Sequence, residues 1–302
     1  MAEHCRITGI TVEGYAKINL HLDVTGRMAG GYHRVETVMQ TVSLHDDIEI
    51  TLRDEAGITV ACDVAGVPLD DRNLAVRAAR LFFEKVGGEP RLHVAIRKRI
   101  PMAAGMAGGS TDGAAVLLGL NRLYGNPLSE AELWELGGRL GADVPFCIFG
   151  GTALAAGKGD EFLPFPTMPD CYLVIACEGE GVSTPWAYGL LDSLYENFEG
   201  DRQPHGIACL KAAVESGELA ALADSIYNIF EEPVLAQRPV AREIRDTLLA
   251  SDALGAMMSG SGPSVFGIFA DEATARGAVR ALEAKGYSAY LCQTVARRAM
   301  ND

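Results

Sequence analysis

Residues 101–115 read PMAAGMAGGSTDGAA, and the reading of this stretch governs the rest of the chain. An extended pattern ends just before it, a glycine-rich loop runs through it, and an apolar helical pattern begins inside it. Gly105, Gly108 and Gly109 lack a Cβ, so the backbone can take φ > 0 there and press its N–H groups close to an anion. Ser110, Thr111 and Asp112 are expected to cap the helix that follows. In it Ala114, Leu117 and Leu118 share one face and Val116, Leu120 and Leu123 another, the pattern of a buried helix. Such a helix would turn its unpaired N–H donors and the positive end of its dipole toward one spot, which suits a di- or triphosphate. The plainer reading is a turn with a cap. Three glycines within nine residues, with a hydroxyl pair behind them, are more than a turn needs.

Upstream, Arg91 to Arg97 alternates as a strand and leads into the cationic run Arg97-Lys98-Arg99, set against the loop. Asn73 to Lys85 reads as a helix with Asn73 as its cap. Asp47 to Arg53 and Gly57 to Asp63 are short β patterns split by a charged turn, expected to continue an antiparallel sheet. From Ile7 to Val24, Ile18, Leu20 and Leu22 alternate against Lys17, Asn19, His21 and Asp23. Period two puts Lys17 and Asn19 on one face, although a lone strand lysine is more often a solvated side chain. Gly30-Gly31 makes a loop before Tyr32 and His33, and Val35 to Leu44 is extended again.

Downstream, Ser129 to Leu140 reads as a helix stopped by Gly141, followed by GADVPFCIFGG. Asp143 lies between that stop and what reads as an apolar strand, a place where a carboxylate is fixed and partly desolvated; a turn aspartate capping its own backbone is the competing reading. Gly157-Lys158-Gly159 is not a Walker site, because no glycine stands five positions earlier and no Ser or Thr follows the lysine. Prolines at 164, 166 and 169 mark a change of character, so domains over 1–165 and 166–302 are expected. The second half reads as a strand at Cys171 to Cys177 and a helix opened by Pro185 with Ser183 or Thr184 as cap. Helical patterns follow through Glu196, Cys209 to Ala223 and Pro233 to Ala250. MMSGSGPS at 257–264 then leads into a strand at Val265 to Phe269, a helix from Asp271 to Lys285 and a strand at Ser288 to Cys292. The fold class is α+β, without an internal repeat.

The chain has 302 residues, 48% of them hydrophobic, enough to bury a sizeable core over two domains. Its net charge of -14 argues against a nucleic-acid partner, so an anionic ligand must be met by loops, helix ends and a few placed cations. Cys5, Cys62, Cys147, Cys171, Cys177, Cys209 and Cys292 are odd in number and lie mostly in apolar runs; they read as reduced thiols of a cytoplasmic protein. Neither an apolar signal core nor an uncharged run of about 18 residues is found, so no membrane partner is expected.

AKINLHLDVTGRMAGGYH, PMAAGMAGGSTDGAA, GADVPF and MMSGSGPSVF, in this order, resemble the GHMP kinase superfamily over nearly the whole chain. The glycine loop is shared across that superfamily. AKINLHLDVTG with GYH, and GADVPF, resemble the branch whose acceptor is the cytidine diphosphate derivative of methylerythritol, on the non-mevalonate route to isoprenoids. Met106 stands where leucine is usual, Thr111 where a second serine is, and Gly113 where alanine is.

The resemblance implies an N-terminal ribosomal-protein-S5-like ATP domain and a C-terminal ferredoxin-like α/β sandwich domain for the substrate, with the active site in the cleft between them. It implies ATP as co-substrate, Mg²⁺, and transfer of a phosphoryl group to the tertiary 2-hydroxyl of the acceptor. Lys17 and Asp143 would be catalytic. Pro101, Met102, Ala103, Ala104, Gly105, Met106, Ala107, Gly108, Gly109, Ser110 and Thr111 would bind ATP, with Asn73 and Lys98 near the adenine and Ser110 as a metal ligand. Asn19, Tyr32, His33, Tyr188, Gly260 and Ser261 would meet the acceptor, Tyr188 by stacking on cytosine. Two alternatives stay open: a homoserine or mevalonate type of kinase, against which GYH and STPWAY argue, and a catalytically silent ATP-binding sensor, which would be expected to lack Lys17 or Asp143.

Overall fold

The structure, a computed structural model, describes residues 8–28, 30–159, 161–179, 181–195, 198 and 205–297. Cys5, Ile7 and Glu196, which entered the sequence reading, lie outside them.

The first sheet is organised around a long antiparallel hairpin of β1 (Gly9–Arg27) and β2 (His33–Leu52). Adding β3 (Gly57–Cys62), β4 (Arg91–Arg97) and β8 (Tyr227–Asn228), its order is β3-β4-β2-β1-β8; β5 (Thr152–Ala156) also pairs with β2 and β6 (Glu161–Leu163) with β5. The antiparallel expectation fails at β3. It runs parallel to β4, which lies between it and β2, because α1 (Leu74–Val86) carries the chain across as a β-α-β crossover. Asn73 caps α1 as read, its Oδ1 accepting from Ala75 N at 2.9 Å.

One face of this sheet is covered by α1, α2 (Gly108–Leu123) and α3 (Glu130–Leu140). Ile48, Ile50, Val94 and Ile96 meet Phe82, Leu117, Leu120 and Leu133 there, each fully buried large side chain contributing roughly 1.5–3 kcal/mol. Ser129 and Glu132 form a reciprocal capping box on α3.

The second sheet is antiparallel, ordered β11-β7-β10-β9, from β7 (Tyr172–Cys177), β9 (Gly255–Met258), β10 (Val265–Phe269) and β11 (Ser288–Gln293). Alternation decides its two faces. Val174, Ala176, Val265 and Phe269 pack with α9 (Pro239–Ala250) and α10 (Glu272–Glu283), whereas Leu173, Ile175, Phe266 and Ile268 join Ile18, Leu20 and Val38 of the first sheet in a shared core. The chain after residue 166 also returns to the first sheet, through β8 and through a bridge from Thr294 to Val42.

Three other expectations change. VPFCIF is not a strand but a short helix, α4 (Val144–Phe149), since a buried apolar run of six has no periodicity that separates the two. Between α5 (Thr184–Leu194) and α9 the long helical patterns break: Gly217, at φ 73, parts α6 (Ala208–Ser216) from α7 (Leu219–Ser225). Pro239, at the start of α9, closes off α8 (Glu231–Gln237). No described helix is long and apolar enough to cross a membrane.

Candidate active site

The glycine loop is pinned at its entry by Asp46, which is fully buried. Its Oδ1 accepts from the backbone N–H groups of Arg99 (2.6 Å) and Ile100 (2.9 Å), and its Oδ2 pairs with Lys98 Nζ at 2.5 Å. Lys98 also reaches Asp112 Oδ2 at 2.9 Å, tying the loop entry to α2. Burial pushes the Asp112 carboxyl up to about 7, the Lys98 ammonium pulls the other way and the Asp46 charge adds to the rise. Lys98 therefore spends its charge inside the protein, and its cationic neighbours do not line the loop cavity.

The loop then takes φ > 0 at Ala103 (51°), Gly105 (76°) and Ala107 (60°). Helix α2 starts at Gly108, with Ala107 as a left-handed N-cap that supplies no side-chain acceptor. The expected caps thus lie within the helix. Thr111 donates to the Tyr15 carbonyl (3.0 Å), and Asp112 is engaged by Lys98. The N–H groups of Gly108, Gly109 and Ser110 are left without a capping side chain, which makes this helix start a better anion seat than the sequence reading implied.

A cavity of about 230 Å³ opens on this start, lined by Pro68, Arg72, Asn73, Lys98, Pro101, Met102, Ala103, Gly108, Gly109 and Asp112. A Cβ on Gly109 would meet nothing within 4 Å, so this position faces open space. Ala104 and Met106, by contrast, turn their side chains into the shared core and offer a ligand only backbone, and Thr111 is buried against β1.

Gly105 belongs to a second cavity of about 210 Å³, whose walls include Lys17, Asn19, Thr37, Asp143, Lys158, Thr184, Tyr188, Gly260 and Ser261. Lys17, only 5% exposed, follows a bulge in β1; its backbone N–H donates to the Met106 carbonyl at 3.3 Å. Its ammonium donates to Asn19 Oδ1 (2.7 Å), Asn19 Nδ2 to Thr37 Oγ1 (2.8 Å), and Thr37 to the His21 carbonyl (2.7 Å). The expected shared face of Lys17 and Asn19 is therefore present. Asp143 stands at the N-cap of α4, but its side chain makes no capping bond, which removes the reading of a self-capping turn residue.

MMSGSGPS forms the far wall. Asn228 Nδ2 donates to the carbonyls of Met258 (2.7 Å) and Gly260 (2.9 Å), and Ser259 Oγ donates to the Gly105 carbonyl (3.2 Å). The hydroxyls of Thr184 and Ser261 are 3.2 Å apart. Burial raises the Tyr188 phenol to about 12, with the Asp143 charge adding to the rise.

Tyr32 and His33 do not line this cavity. His33 stacks on Tyr188, ring centroids 4.5 Å apart, so part of the face expected to receive a base is already covered; Tyr32 is 59% exposed, with Lys158 over its ring at 4.1 Å. Sequence reasoning missed Asp46, Thr37, Lys158, Thr184 and Asn228. Only Lys158 carried a signal, its flanking glycines, which build the turn that brings it to the wall. A larger cavity, about 410 Å³, lies behind α2 among Thr11, Tyr15, Arg122 and Phe149, and shares no lining residue with the two cavities of this site.

Residues 73–151 match the family model of the GHMP kinases N terminal domain, and residues 210–288 that of the GHMP kinases C terminal. The chain is 41% identical over 286 residues to the 4-diphosphocytidyl-2-C-methyl-D-erythritol kinase of Acetivibrio thermocellus, covering 95% of this chain and 99% of that protein. With the enzyme of the same name from Gloeobacter violaceus it shares 40% over 287 residues, 94% of each. A crystal structure of 4-(cytidine 5'-diphospho)-2C-methyl-D-erythritol kinase superposes with a TM-score of 0.79 at 32% identity, over 94% of this chain and 99% of that one. Homoserine kinase from Cytophaga hutchinsonii shares the fold, with a TM-score of 0.75 at 18% identity over 99% of this chain and 98% of that one. The chain belongs to the GHMP kinases, and among them to the 4-diphosphocytidyl-2-C-methyl-D-erythritol kinase family.

Proposed function

We propose that the chain transfers the γ-phosphoryl group of ATP to the 2-hydroxyl of 4-diphosphocytidyl-2-C-methyl-D-erythritol, in the methylerythritol phosphate route of isoprenoid and terpenoid biosynthesis. The observation that carries this reading is the glycine loop standing between two cavities. Pro101 to Ala103, Gly108 and Gly109 face one, and Gly105 faces the other together with Lys17, Asn19 and Asp143. A nucleotide in the first would present its terminal phosphate across the loop to a hydroxyl held in the second.

Phosphoryl transfer asks mainly for alignment and charge stabilisation. On this reading the N–H groups of Gly108, Gly109 and Ser110 hold phosphate oxygens. Asn19 orients the erythritol part, Asp143 accepts the proton as the hydroxyl oxygen bonds to phosphorus, and the Lys17 ammonium balances charge at the reacting oxygens as the bond to ADP breaks. Gly260 and Ser261 close the acceptor side. Residues 1–165 then form the ATP part and 166–302 the acceptor part, in keeping with a second sheet built wholly from strands after residue 166.

Mg²⁺ fits this chemistry. Among the described residues no cluster of three His, Cys, Asp or Glu could hold a metal by itself, which suits an ion carried mostly by phosphate oxygens and water, with one protein oxygen such as the Ser110 hydroxyl in the first turn of α2. Bound there, it would neutralise charge on the β- and γ-phosphates.

An assay of ADP release over a panel of alcohols, with and without the cytidine diphosphate group, tests the reading. Turnover confined to the cytidine compound is the expected result. Equal turnover of homoserine or mevalonate would overturn the substrate assignment, and no turnover of any acceptor would favour the sensor.

A further inference from the structure

Lys17, Asn19 and Thr37 all line the acceptor cavity, and they are only 5%, 3% and 4% exposed. Among the described residues, Asn19 is the one side chain that bonds the Lys17 ammonium. The pairing of β1 with β2 slips between Asn19 and His21, the mark of a bulge. Thr37 of β2 stands beside that slip and joins Asn19 to the His21 carbonyl.

The direction of each bond in this series follows from its last member. A backbone carbonyl only accepts, so the Thr37 hydroxyl must place its single proton on the His21 oxygen, 2.7 Å away. Thr37 Oγ1 then has only lone pairs to offer Asn19. The group 2.8 Å from it is therefore the amide nitrogen of Asn19, which leaves Oδ1 to receive the Lys17 ammonium at 2.7 Å. The reverse orientation would set donor against donor at Lys17 and lone pair against lone pair at Thr37. Held as it is, Lys17 keeps two N–H donors for reacting oxygens, and Asn19 keeps one N–H and one lone pair for the acceptor.

We propose that Thr37 is a positioning residue for phosphoryl transfer, which fixes the Asn19 amide and through it holds the Lys17 ammonium in place. The inference rests on the reading of Lys17 as the catalytic cation of this cavity. It accounts for a buried ammonium that keeps its place in the same cavity as Asp143 without an ion pair to it. Once the hydroxyl is gone the amide can turn, and a turned amide presents N–H groups to Lys17 and displaces it. Little water reaches groups this buried, so solvent does not make good the misfit.

Thr37→Val keeps the shape and removes the relay. The test measures kcat and both KM values for this variant, alone and in the Lys17→Met background. Alone it should lower kcat by about tenfold or more, the scale of an unmet buried hydrogen bond, while the KM for ATP stays put. Thr37→Ser retains the hydroxyl and should recover most of that loss. In the Lys17→Met background Thr37→Val should cost less than about twofold further, because the cation it serves is already gone.

Wild-type kcat in Thr37→Val overturns the proposal, and so does a loss in Thr37→Ser as deep as in Thr37→Val. An equal loss in the two backgrounds also overturns it, since a direct contact with the acceptor or a merely structural role acts without Lys17. Neutron diffraction from deuterium-exchanged wild-type crystals provides a second readout should Thr37→Val not fold. Amide deuterons of Asn19 facing Thr37 support the proposal, and amide deuterons facing Lys17 overturn it. Wild-type protein that turns over no acceptor overturns the reading of the function instead, and the neutron map still decides what Thr37 does to Asn19.

Discussion

The hydroxyl of Ser259 donates to the carbonyl oxygen of Gly105 at 3.2 Å, joining two glycine segments that stand 154 residues apart in the chain. A Cβ on Gly105 would run into the Ser259 carbonyl oxygen, closer than real Cβ atoms approach backbone, and the residue sits at φ +76. Gly105→Ala should therefore strain the loop and push the two segments apart at once. The left-handed conformation alone costs roughly 1–2 kcal/mol, so a loss of stability of about 2 kcal/mol or more is expected, with KM raised for both substrates. Thermal unfolding with steady-state kinetics checks this; wild-type stability with wild-type KM values would show that the joint does not matter.

Gly109 behaves oppositely, because its missing Cβ would point into open space. Gly109→Val should fold with little penalty yet block the approach of a phosphate to the α2 N-terminus, lowering ATP affinity by tenfold or more. Calorimetric titration with ATP measures it, and a folded variant of unchanged affinity would move the phosphate seat elsewhere.

These two glycines mark the limit of what the sequence conveys. Signals carried within a few residues were readable: the Asn73 cap, the helix that begins near Ser129 and stops at Gly141, the ends of β4, and the period-two face shared by Lys17 and Asn19. Contacts made by the fold were not. Asp46 reaches Lys98 across 52 residues and His33 reaches Asp192 across 159, and neither span leaves a local pattern. The same holds for β3, whose parallel pairing depends on α1 packing over the sheet, and for VPFCIF, whose six apolar residues are too few for a period to emerge.

Tyr188 supports both His33 and one wall of the acceptor cavity. Tyr188→Ala should raise the acceptor KM roughly ten- to hundredfold, since base-aromatic stacking is worth ~1–3 kcal/mol, while ATP binding changes little. An equal loss for ATP would take Tyr188 out of acceptor recognition.

Stability should depend on pH through His21, which is fully buried and whose two ring nitrogens have no hydrogen-bond partner among the described residues. Burial lowers it to about 4, against the pull of Asp23, and His205 lowers it further; Glu36, 3.9 Å away, and Tyr227 complete its surroundings. A His whose folded pKa is depressed lets the unfolded chain bind the extra proton first. Its share of the stability is complete above pH ~6.5 and is lost as pH falls toward 4. The loss is on the order of 3 kcal/mol, at 1.36 kcal/mol per pH unit. His21→Leu should flatten the denaturation midpoint over this window, and an unchanged slope there would assign the pH dependence to other groups.

The sharpest expectation concerns Asp143, whose carboxylate lines the acceptor cavity beside Lys17 and does not cap its own helix. Among the described residues no ion pair joins the two, and the Lys17 ammonium is held by Asn19 instead. Asp143→Asn preserves shape and polarity but cannot take a proton from the acceptor hydroxyl. General-base contributions are typically ~10²–10⁴-fold, so kcat should fall by about that much while both KM values move little, as for an interaction made mainly in the transition state. Lys17→Met should be comparably damaging. If both side chains act on the same reacting oxygen, as proposed, the double variant should lose far less than the product of the single losses. Strict multiplication of the two losses would mean that they act independently, and wild-type turnover in Asp143→Asn would end its role as the base.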